Sequence, residues 1–238
     1  MRELPFLPKP VEISAILAGK QVQFRQIIKP QPEYFLNCVF GKPVVSTDGR
    51  FYTVGKDGKD KTIISPYQVG DMVYIKETFR DYTDTDDVYK TIIEYAADGG
   101  HISLNQCDGD GFQMFNKDGS EKMVPWIASA VMPKSVARIW LKITNVRVEL
   151  IQNIDDIGAM DAGIMNLSHE WVLRNFPGYE MKHTEWSRDQ TTGTKPPLGP
   201  TPSRVFEKLW QQMHGDSWNR NDWVWVYNFN IISTIGKL

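Results

Sequence analysis

The chain has 238 residues, 41% of them hydrophobic and 12% aromatic, enough to bury a sizeable core as one domain with long insertions. A formal net charge of −2 and a sequence pI near 6.1 argue against tight, sequence-blind binding of long duplexes, which draws on a surplus of Lys and Arg against phosphate. No apolar run approaches the roughly 18 residues of a membrane span, and the N-terminus lacks a charged stretch followed by an apolar signal core, so a cytoplasmic location is expected.

Pro10 suits the first turn of a helix and Gly19 suits its C-terminal cap, so an apolar helix is expected between them. Past Gly19 the period becomes two. Val22, Phe24 and Ile28 fall on one side of the resulting strand and Gln21, Gln23 and Arg25 on the other. Two readings of the polar side stay open: a solvated edge strand, or a face that offers amides and a guanidinium to a ligand.

Residues 50–65 read as a hairpin, Phe51–Val54 and Thr62–Ile64 flanking a Gly- and Asp-rich connection. A strand over 72–79 follows, and Glu77 sits in its apolar phase. A carboxylate on a buried face needs a cation or several donors, and Arg25 or Arg138 is the expected partner. The pair either ties two strands together or puts an acid at the floor of a pocket.

Thr91–Ala96 is the next expected strand, and Asp98–Glu121, rich in Gly and Asp, is expected to be a loop. Trp126 and the Met132-Pro133 step lead into a strand over 136–150. Its apolar phase slips between Ile143 and Val146, which suggests a bulge near Thr144 and Asn145. Asn153 or Asp155 starts a helix that ends near Gly163, and Ser168 caps another containing Trp171, Val172 and Phe176.

Residues 177–202, with four prolines in the second half, read as an extended excursion. Thr201 and Pro202 then open an amphipathic helix that stops at Gly215. The last strand carries Trp223, Trp225, Tyr227 and Phe229 on one face and Val224 and Val226 on the other, as expected for burial on both sides. An aromatic row of this kind fills cores more often than it stacks bases. The fold class expected is α+β: a small, curved, mixed β-barrel with flanking helices and insertions at about 40–65, 98–125 and 177–200.

Four segments, in order, resemble the ASCH branch of the PUA-like superfamily, in its long phage or prophage version. They are the helix–Gly19–strand unit through Lys29-Pro30, Pro66–Phe79, Met132–Ile139 and Trp223–Phe229. The resemblance implies a barrel-like fold and a role with nucleic acids or modified bases, and a bacterial host cytoplasm. Some members hydrolyse acetylcytidine, with a Lys two places after the Gly, a Thr five places after it, and an acid just before a later Gly. Those positions here read Gln21, Phe24 and Ala162. Lys20 and Asp161 are each one residue away, and in a strand a one-residue slip turns a side chain to the opposite face.

The function expected is therefore binding of single-stranded nucleic acid, a nucleotide or a modified base. The ligand would meet Gln21, Gln23, Arg25 and Glu77, with Lys20 and Lys29 at the mouth and Trp126 and Arg138 beside it. Two alternatives stand: a hydrolase of a modified nucleoside with Glu77 as acid/base and Lys20 or Lys76 as cation, or an accessory protein whose pocket is vestigial. Cys38 and Cys107 lie in unrelated segments and the four histidines lack ligand spacing, so no metal and no other cofactor is expected.

Overall fold

The computed structural model describes residues 2–36, 38–39, 42–44, 50–54, 58–83, 89–105, 124–176 and 200–236. The tip of the predicted 50–65 hairpin, most of the 98–125 insertion with Cys107, and the 177–199 excursion lie outside the described residues. The architecture is α+β with strands dominant. In chain order the elements are β1 (Glu3–Phe6), α1 (Pro10–Leu17), β2 (Gln23–Ile27), β3 (Tyr34–Phe35), β4 (Cys38–Val39), β5 (Lys42–Pro43), β6 (Phe51–Val54), β7 (Asp60–Ile63), β8 (Met72–Ile75), β9 (Phe79–Thr83), β10 (Lys90–Tyr95), β11 (His101–Asn105), β12 (Trp140–Leu150), α2 (Asp156–Asp161), α3 (His169–Asn175), α4 (Pro202–His214) and β13 (Trp223–Ser233). Among the described residues no strand order closes on itself, and no helix is long and apolar enough to cross a membrane.

The chain divides into two compact units, each discontinuous in sequence. The first holds Met1–Leu17, Asp71–Lys142 and Ile231–Leu238; the second holds Ala18–Gly70 and Ile143–Asn230.

In the first unit β1 runs parallel to β8, with Leu4 opposite Val73, and β8 pairs antiparallel with the start of β12, with Leu141 opposite Val73. A three-stranded antiparallel sheet, β11-β10-β9, completes it. Phe79, Ile93, Tyr95, Met132, Val136, Ala137 and Trp140 form one buried cluster. Two expectations are corrected here. The strand predicted over 72–79 is broken at Lys76–Thr78: the Lys76 N–H makes the last bond of the ladder with β1, the Glu77 N–H turns to Met132 Sδ at 3.0 Å, and Phe79 starts a different sheet. The predicted loop after Asp98 begins instead with β11, since the turn at 96–100, with Gly99 at φ +69°, folds the chain back onto β10.

In the second unit the strand order is β12-β13-β2, and β13 fixes the register of β2 by placing Val226 opposite Arg25 and Tyr227 opposite Phe24. Phe24 points into aromatic packing, its ring centroid 5.8 Å from Tyr67, 4.8 Å from Tyr227 and 5.8 Å from Phe229. Ser65 Oγ lies 2.8 Å from the Tyr227 hydroxyl and donates to the Tyr67 carbonyl, which satisfies the polar end of this cluster. Beyond the strand, the Gln31 amide donates to the Ile28 and Trp223 carbonyls and accepts from the Trp223 N–H. β6 and β7 form the predicted hairpin.

The helices of this unit follow their capping residues. Asp155 caps α2 by accepting from the Gly158 N–H, Gly163 ends that segment at φ +90°, and Ser168 caps α3 by accepting from the Trp171 N–H. α4 starts at Pro202 as expected. The Thr201 hydroxyl makes no cap bond and lies 3.1 Å from Ser203 Oγ instead. α4 buries Val205, Phe206, Leu209 and Trp210 and packs against α2. In β12 the predicted phase slip is visible as two consecutive exposed residues, Thr144 and Asn145.

Phe24→Ala should lower the unfolding free energy by about 3–5 kcal/mol, the usual cost of emptying an aromatic core position. Tyr34→Ala, at a half-exposed ring, should change it by less than about 0.5 kcal/mol. Denaturant unfolding of the two variants checks both; equal losses would show that Phe24 is not a core anchor.

Candidate functional site

The polar side of the first long strand is not solvated. Gln21, Gln23 and Arg25 are 1%, 2% and 7% exposed, although β2 pairs with β13 alone. The two residues before the strand are held from its other side, where Gln21 forms an isolated antiparallel bridge with Ala162 and the Val22 N–H donates to the Asp161 carbonyl at 2.9 Å. Polar side chains at alternate positions are thus enclosed while Phe24, between them, enters the aromatic core.

Burying polar groups is costly unless each finds a partner. Here several do not. The buried side-chain atoms lacking a hydrogen bond among the described residues are Gln21 Oε1, Gln23 Oε1, Arg25 Nε and Gln26 Oε1, and all four belong to this one segment. The Gln21 amide is oriented by its own Nε2, which donates to the Gln23 carbonyl at 3.0 Å.

Arg25 is a buried cation held loosely. Its Nη2 lies 3.5 Å from Glu149, its Nη1 donates to the Gly158 carbonyl at 3.4 Å, and its guanidinium carbon sits 5.5 Å from the centroid of the Phe206 ring. Burial pushes its pKa down to about 10; Glu149 and Asp155 oppose the shift and Arg147 adds to it. The guanidinium remains charged at neutral pH. The backbone of Gly158 comes close, since a Cβ there would meet Arg25 Nη2 at 3.2 Å and the capping Asp155 Oδ1 at 3.0 Å. Lys20 and Lys29, expected at the mouth, are both exposed, and Lys20 Nζ reaches the Met165 carbonyl at 3.5 Å.

Glu77, Trp126 and Arg138 belong to the first unit. Of the two partners foreseen for Glu77, Arg138 is the one it meets. Arg138 Nε and Nη2 donate to the two carboxylate oxygens at 3.0 and 2.8 Å, and Glu77 is fully buried. Arg138 also donates to both oxygens of Asp98, at 3.1 and 2.8 Å, and lies 4.1 Å over the ring of Tyr95. Burial pushes Glu77 up while Arg138 pulls it down. For Arg138, burial is outweighed by the two carboxylates, which hold its pKa above the usual value. Both oxygens of Glu77 are taken, the geometry of an acid that fastens a strand break to the segment before β12. Trp126 is 46% exposed, with the guanidinium of Arg80 4.6 Å from its ring and Arg80 itself held by both oxygens of Glu94 at 2.9 Å.

Sequence reasoning missed Glu149, Gly158, Phe206 and Asp98. Glu149 had a weak signal: it lies in the polar phase of β12, where an acid reads as an ordinary solvated side chain. No sequence spacing joins Gly158 or Phe206 to Arg25. Among the described residues no group of three or more His, Cys, Asp or Glu could hold a metal ion. No protein-family model, curated protein or solved structure matches the chain.

Glu77→Gln should destabilise the protein by about 3–5 kcal/mol, because it leaves the Arg138 charge buried with less compensation. The double variant Glu77→Met/Arg138→Met should recover much of that loss. Chemical denaturation of the three proteins tests it, and a double variant no more stable than Glu77→Gln would exclude the account.

Proposed function

We propose that the chain binds a nucleotide or an exposed base of a single-stranded nucleic acid through the buried polar face of Gln21, Gln23 and Arg25, in a curved PUA-like fold acting in the cytoplasm. One observation carries this reading: every buried side-chain atom left without a hydrogen bond among the described residues sits on this segment. Amide oxygens and a guanidinium N–H are the groups that read base edges, and such edges are free on single strands and mononucleotides. An overall charge of −2 suits a small or single-stranded ligand better than a duplex.

One feature supports the resemblance to the ASCH branch: the Gln21–Ala162 bridge brings together two positions that the resemblance assigns to one site. The side chains present favour binding over hydrolysis. Gln21 carries no charge, Ala162 has no proton to give, and Phe24 is committed to the aromatic core.

Titration of the full chain with labelled single-stranded RNA, single-stranded DNA and mononucleotides tests the proposal. At least one class should bind with Kd below about 1 mM, and Arg25→Ala and Gln23→Leu should each weaken it by about tenfold or more, as expected when a buried partner is lost. Binding that both variants leave unchanged would place the ligand elsewhere. Turnover of acetylcytidine by the wild type would replace the binding reading with the hydrolase.

A further inference from the structure

The unpaired atoms of this face have an order along the strand as well as a number. Reading from Gly19, they are Gln21 Oε1, Gln23 Oε1 and Arg25 Nε, two acceptors and then a donor. Gln26 Oε1 falls on the opposite alternation, with Phe24, and is not part of the row. Alternate residues on a strand spread three Cα atoms over about 13 Å, wider than one base edge. Long side chains can narrow that row, and Gln21 already leans along it, its Nε2 bonded to the Gln23 carbonyl.

The complement of this row is an edge with two donors followed by an acceptor. Guanine presents that set on its Watson–Crick edge: the N2 amine, the N1 hydrogen and O6. Cytosine presents one donor and two acceptors, uracil a donor between two acceptors, and adenine one donor beside one acceptor. A phosphate or other anion could meet Arg25 but would leave both amide oxygens unpaired. Unpaired buried acceptors discriminate strongly, since each one left without a donor retains its full desolvation penalty.

Resting on the binding function proposed above, we infer that the ligand base is guanine, read on its Watson–Crick edge with O6 toward Arg25 and the two donors toward Gln21 and Gln23. The edge must therefore be unpaired, as it is in a guanine mononucleotide or an unpaired G of a single strand.

Calorimetric titration of the full wild-type chain with GMP, IMP, AMP, CMP and UMP tests this without any variant. IMP differs from GMP at this edge only by lacking the N2 amine. GMP should bind at least about tenfold more tightly than IMP and than the other three, the loss expected for one buried acceptor left unpaired. Gln21→Met, checked for folding by circular dichroism, should bind GMP and IMP within about threefold of each other. Equal wild-type affinities for GMP and IMP, or a preference for CMP or AMP, would overturn the guanine assignment and leave base binding standing. No binding of any of the five, nor of single-stranded RNA or DNA, would overturn both.

Discussion

The pairing of β2 with β13 is the constraint from which the candidate site follows. With Val226 opposite Arg25 and Tyr227 opposite Phe24, the register commits the even side of the strand to an aromatic cluster. The odd side is then fixed as well. Because side chains alternate with a period of two, a slip of one residue would send an arginine and two glutamines into the rings and expose Phe24. The aromatic packing thus stabilises a polar row that stability alone would not select.

The two arginines singled out from sequence show how differently a buried cation can be used. Arg138 is saturated: four short bonds to two carboxylates and a ring beneath it leave it firmly anchored. Arg25 has Glu149 at 3.5 Å, the charge of Asp155 nearby, one long bond to a carbonyl and an Nε with no partner among the described residues. Removing a charge from water is costly in both places. The compensation is complete in one and partial in the other, and partial compensation is what a group reserved for a ligand would show.

Much of the fold was legible because it rests on local chemistry. Pro10, Asp155, Ser168, Pro202, Gly163 and Gly215 mark helix ends through capping and backbone preference, and the two-sided burial of the last strand follows from its continuous apolar run. The errors arose where tertiary pairing overruled local pattern. β11 contains too few apolar residues to announce itself and exists through β10, and the 72–79 strand is interrupted because two sheets compete for it. At the site, the alternation of Gln21, Gln23 and Arg25 was readable and so was the misfit of Glu77. That the polar face is enclosed was not, because enclosure depends on residues more than a hundred positions away, such as Glu149, Gly158 and Phe206.

Gly158 has a consequence of its own. Its missing side chain is what allows the turn of α2 to lie against the guanidinium while its N–H still serves the Asp155 cap. A methyl group placed there would press on the cap and on the cation, at 3.0 and 3.2 Å, and one of them would have to give by a few tenths of an ångström. In chains built on the same plan, a bulkier residue at this point would go with a rearranged arginine or a rearranged cap.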